Sequence, residues 1–68
     1  MTLNEIIQDI HGLEVELAIL EKRYGLLSVD FYHLYKAGEL EQRRDFIQWV
    51  GYYEAKLERE ARYRICPL

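Results

Sequence analysis

The chain has 68 residues, 50% of them hydrophobic and 31% charged, with a formal net charge of −3. That length allows one small domain, near the lower limit for a core without a disulfide, metal or partner, and the single cysteine excludes an internal disulfide and a multi-cysteine zinc site. No run approaches the ~20 apolar residues that span a bilayer, no secretory signal opens the chain, and the negative balance weighs against non-specific nucleic-acid binding, so a cytoplasmic protein without a membrane anchor is expected.

Thr2, with Glu5 three residues later, makes a capping box, and Leu3, Ile6, Ile10, Leu13, Leu17, Leu20 and Tyr24 follow at alternating steps of three and four. The spacing predicts a helix over about 3–24, closed by Lys22 and Arg23 at the negative dipole end and by Gly25 as the C′ stop. Ile7 widens this seam. Gly12, Val15 and Ile19 lie on nearly the opposite side and form a second apolar strip that one antiparallel neighbour does not cover.

Ser28 reads as the N-cap of a second helix over about 29–37, with Asp30 in its first turn and Gly38 as its stop. Phe31, Leu34 and Tyr35, at i, i+3 and i+4, should face inward. At about two turns this helix needs packing to be stable.

A third helix is expected over about 41–64, with Phe46, Val50, Tyr53, Leu57 and Ala61 as its principal apolar face. Gly51 in its middle suggests a close helix crossing. The tail, with Cys66 beside Pro67, reads as frayed and carrying a free thiol. The fold class is therefore all-α, an antiparallel hairpin of two long helices with a short middle helix packed at the connection end.

The short helix cannot reach Leu3, Ile6, Ile7 and Ile10, and the segment opposite them, from Leu57 to Ile65, offers little apolar surface. An incomplete core is expected at this open end. Removing about three such side chains from water is worth roughly 4 to 9 kcal/mol before entropy costs, so the open end and the Val15 and Ile19 strip are expected to bind a protein partner or a second copy. A flank of the third helix adds Trp49, Tyr52 and Tyr63, interleaved with Lys56 and Arg59. Aromatic residues and arginine of this kind anchor protein interfaces.

The same helix suggests an alternative, a nucleic-acid-binding regulator using Lys56, Arg59, Arg62 and Arg64 with Tyr63. Glu54, Glu58 and Glu60 close by favour protein over nucleic acid, and the short helix, with only Lys36 and His33, lacks the basic face of a recognition helix. Asp30 and His33 share a helical face at a spacing used by di-metal bundles, but those sites need a second copy of the motif and two further carboxylates. No nucleophile with base and orienter can be assembled, and the four glycines form no phosphate loop. A non-enzymatic protein without cofactor or metal is expected.

The central block resembles a group of small prokaryotic helical proteins that are often encoded as the antitoxin partner of a toxin-antitoxin pair. The matching residues are Leu20, Glu21, Tyr24 and Gly25 at a helix end; Ser28, Phe31, Tyr32, Ala37, Gly38, Glu39 and Leu40 in the middle; and Asp45, Phe46, Trp49, Tyr53 and Glu54 at a helix start. They span about half the chain and include no catalytic signature. The Gln42-Arg43-Arg44 connector and the tail from Ile65 to Leu68 depart from the pattern. The resemblance implies an antitoxin-like binding protein that masks a toxin through its helices.

Overall fold

The computed structural model describes residues 2–65, so the expectations for Cys66 and the last residues of the tail lie outside the described part. Three helices follow in order: α1 (Leu3–Tyr24), α2 (Ser28–Lys36) and α3 (Arg44–Ile65). Among the described residues there is no strand.

Helix α1 begins at the capping box, with the Thr2 hydroxyl accepting from the Glu5 amide and the Glu5 carboxylate accepting from the Thr2 amide, both at 3.2 Å. These bonds to Thr2 hold the Glu5 carboxyl below its ordinary range. Gly25, at φ 66°, ends the helix, and its N–H donates to the Glu21 carbonyl at 2.8 Å. Gly38, at φ 74°, ends α2 in the same left-handed conformation. The Glu39 N–H donates back to the Leu34 carbonyl at 3.1 Å, which closes the end of α2.

Two boundaries differ from the sequence expectation. Helix α2 starts at Ser28 itself, with Leu27 as an N-cap that makes no side-chain hydrogen bond. The cap comes from α1 instead, because a Glu21 carboxylate oxygen accepts from the Ser28 N–H at 2.8 Å. Helix α3 starts at Arg44 rather than about Glu41. Arg43 pairs with Glu41 two positions earlier at 2.9 Å, a spacing that does not share a helical face, and Tyr35 Oη donates to the Gln42 side chain at 3.2 Å.

The long helices pack antiparallel, and three cross-links walk down α1 as they walk up α3. Arg23 pairs with Asp45 at 3.0 Å, Glu14 with Lys56 at 3.8 Å, and Asp9 with Arg59 at 3.6 Å. The face of α3 toward α1 is therefore the line Asp45, Trp49, Tyr52, Lys56, Arg59 and Tyr63, stepping by four and three. This corrects the helical-wheel reading. Phe46 and Tyr53 instead meet Phe31 and Tyr32 of α2, Val50 packs against the core, and Leu57, one turn on, is 40% exposed.

The core sits at the connection end. Leu17, Leu20, Phe31 and Trp49 are buried together, with Tyr24, Phe46, Val50 and Tyr53 packed against them. The Phe31 and Trp49 rings lie parallel with centroids 3.8 Å apart, and Tyr24 stacks on Trp49 at 5.7 Å. Phe46 meets Tyr24 edge-on at 5.2 Å. Such pairs are worth about 0.5–1.5 kcal/mol each beyond the area they bury. Gly51 marks no crossing, since a Cβ there would meet nothing within 4 Å.

Candidate protein-binding groove

The aromatic and basic flank of α3 is not a free surface. Trp49 is 0% exposed, and its indole N–H donates to the Ser28 hydroxyl at 2.8 Å. Both groups are buried, so the bond supplies the partner that each needs away from water. Tyr52 is half-buried against the core. Trp49 is therefore a core residue rather than a partner contact, and of the three flank aromatics only Tyr63 is exposed.

Ile6 is also corrected. It is 1% exposed, although the α3 segment near it is mostly charged. Extending the register of the cross-links by one turn sets Ile6 opposite Arg59, Glu60 and Tyr63. Long side chains cover apolar neighbours with their stems while the charged ends stay in water, and Arg59 and Glu60 are half-buried. Leu3, Ile7 and Ile10 remain only partly covered. Val15 and Ile19 stand on the outer side of α1, 59% and 48% exposed.

What the fold creates is a groove between α1 and α3 that α2 fills at one end. Tyr32 of α2 packs on Tyr53 with centroids 4.9 Å apart and donates to Glu54 at 2.7 Å, with Lys36 3.7 Å from the same carboxylate. The hydrogen bond to Glu54 raises the Tyr32 phenol above its ordinary value. Beyond α2 the groove stays open. Its upper part is lined by Leu17, Leu27, Val29 and Tyr53 with Glu14 and Lys56, and its lower part by Ile7, Ile10, His11, Glu60, Tyr63 and Arg64. Leu57 lies on the same helical line as Tyr53, Glu60 and Arg64.

Of the exposed large hydrophobic residues, Leu27 and Val29 line the upper pocket and Tyr63 the lower one, and Leu57 lies on α3 between the residues that line the two. Leu27 and Val29 escape a sequence reading because they precede and begin a helix too short for its outward side to be judged. Leu57 carried a signal. The apolar line from Phe46 to Ala61 is five positions long, more than a helix of nine residues covers when it packs at one end.

The basic residues of the nucleic-acid alternative are largely neutralised. Lys56 lies between Glu14 at 3.8 Å and Glu60 at 3.9 Å, Arg59 pairs with Asp9 and Glu58, and Arg62 pairs with Glu58. Asp30 and His33 stand exposed on α2, and no group of three or more His, Cys, Asp or Glu side chains is positioned to hold a metal among the described residues. No helix of the described residues is long and apolar enough to cross a membrane.

Fold and groove together define a small all-α protein, a helical hairpin closed at one end by a short helix. No family model, curated protein or solved structure matches the chain.

Proposed function

We propose that this chain is a non-enzymatic protein-binding module, an antitoxin-like cytoplasmic regulator that holds a partner protein on the open half of the α1/α3 groove. The observation that supports this reading is the half-covered apolar line of α3. Phe46 and Tyr53 pack on Phe31 and Tyr32 of α2 and Val50 packs against the core, while Leu57, one turn further along α3, stays 40% exposed, and Ile7 and Ile10 on α1 are only partly covered. A groove between two helices is a surface into which an amphipathic helix lays its apolar side. The antitoxin part of the proposal draws on the resemblance of the central block, whose residues serve the closed end and so free the other end for a partner.

The test is co-expression with the product of the neighbouring gene. The expected result is growth arrest by the neighbour alone, relief when this chain is present, and a complex that co-purifies. Leu57→Glu should abolish both relief and co-purification, because a charge placed in an apolar contact is left unpaired. A neighbour that neither arrests growth nor co-purifies would overturn the toxin-antitoxin assignment.

A further inference from the structure

We infer that α2 is a hinged lid, which opens from the hairpin as a unit while α1 and α3 stay packed on each other and so uncovers Trp49, Leu17 and Leu20 between them. The inference concerns the isolated chain and stands whether or not the groove holds a protein partner. For a partner seated on the open half, lid opening lengthens its site.

The hairpin has fastenings of its own. Tyr24 of α1 stacks on Trp49 of α3 and meets Phe46 edge-on, and its hydroxyl, together with Arg23, holds Asp45. Further along, Lys56 pairs with Glu14 and Arg59 with Asp9. Ile6, near the start of α1, is buried. None of these pairs uses a residue of α2.

Helix α2 is attached by less. It meets chiefly α3, and only Ser28 and Phe31 of its nine residues are buried. Its ties are the Phe31 ring on Trp49, the bonds of Ser28 to Glu21 and Trp49, and the contacts of Tyr32 and Lys36 with Glu54. Gly25 and Gly38, both at positive φ, flank it. Leu26 and Leu40 pack against the core, which bounds the moving part at Leu27 and Glu39. Along the edge of α2 a cavity is lined by Leu27, Ser28 and Val29 and by Leu17, itself a member of the buried cluster, so cavity and core adjoin where the lid would part. A segment with few buried contacts opens at a lower free energy than the whole molecule. Once undocked, a helix of about two turns does not hold itself, so all its amides are freed together.

The experiment is hydrogen exchange of the full chain, amide by amide, in rising urea below the unfolding transition. The indole N–H of Trp49, the single tryptophan, is followed as well, because its bond to Ser28 breaks when the lid opens. The amides from Phe31 to Ala37 should share one opening. They should exchange at least about tenfold faster than those in the middle of α1 and α3, with a shallower urea dependence because less surface is exposed. The indole should exchange with the α2 set. Glu21→Ala and Tyr32→Phe, which remove different ties, should each speed that set by about two- to tenfold with unchanged helicity by circular dichroism. Asp9→Asn, further down the hairpin, should leave it as in the wild type. One opening shared by all three helices would overturn the inference, as would α2 amides that each exchange at a separate rate without urea dependence. An indole that exchanges with the slowest amides of α1 and α3 would equally overturn it, since the lid would then not uncover Trp49.

Discussion

The indole N–H of Trp49 donates to the hydroxyl of Ser28 at 2.8 Å, tying the first residue of α2 to the middle of the core. The Ser28 amide is held at the same time by the Glu21 carboxylate of α1. A single residue thus joins all three helices and sets where α2 lies over the hairpin, which in turn decides how much of the groove is left open.

Ser28→Ala should destabilise the protein by about 1–3 kcal/mol, because the indole N–H is left buried without a partner. Trp49→Phe should cost stability too, and the double variant less than the sum of the singles, since the second change removes a bond already broken. Urea unfolding of the four proteins checks this. Simple additivity would show that the bond does not couple α2 to α3.

Glu21→Ala should loosen α2 more than the rest of the molecule. Loss of a cap costs about 0.5–2 kcal/mol, and α2 is too short to hold itself. Hydrogen exchange should quicken at the Phe31 amide and its neighbours while the middle of α1 changes less. Equal loss of protection throughout would contradict a local role for this carboxylate.

Tyr24 Oη donates to Asp45 at 2.6 Å, and Arg23 pairs with the same oxygen at 3.0 Å. Foremost the Tyr24 hydrogen bond, and then Arg23, hold the Asp45 carboxyl below its usual range, while the same bond raises the Tyr24 phenol. A depressed carboxyl contributes stability that is present above its unfolded value, about 3.9, and is lost as pH falls through the lower folded value. A raised phenol contributes stability that is present below about 10 and is lost as pH rises through the higher folded value. Tyr24→Phe should flatten both limbs of the stability profile, and Asp45→Asn the acid limb. Unchanged acid and alkaline limbs in Tyr24→Phe would rule this contact out as their source.

Gly51→Ala should raise stability by about 1 kcal/mol, because the added Cβ meets nothing within 4 Å and the position is mid-helix. Gly25→Ala should lower it, since φ 66° suits glycine and strains other residues. Thermal unfolding distinguishes the signs directly. A destabilised Gly51→Ala would mean that something packs against that turn.

Single-stranded DNA at low salt should give no mobility shift that weakens steeply with added salt. The carboxylates of Glu14, Glu60, Asp9 and Glu58 already occupy Lys56, Arg59 and Arg62. A salt-sensitive shift lost on replacing Arg59 and Arg62 would revive the nucleic-acid reading.

Helix α1 was legible almost to the residue, because its start and stop are set by local groups: the Thr2 and Glu5 capping pair, and Gly25 in a left-handed conformation. Gly38 was legible for the same reason. The start of α3 was not, since it depends on Tyr35 holding Gln42 and on Arg43 reaching Glu41. Part of the site was legible as well: Ile7 and Ile10 do border the open surface. Leu27 and Val29 join it only because α2 lies as it does.

The sequence by itself determined three helices, two glycine stops and an apolar line from Phe46 to Ala61 on α3, all properties of residues within one or two turns of each other. Only the tertiary structure decided which helix that line meets. Periodicity defines an apolar side but does not name its neighbour. Burial of Trp49 against Tyr24 of α1 and Phe31 of α2 sets a mixed aromatic and charged line toward α1, with ion pairs from Arg23, Lys56 and Arg59 along it, and Phe46 and Tyr53 of the apolar line meet α2. Because α2 is nine residues long, its cover ends before Leu57, and the surface that remains is the one proposed for binding.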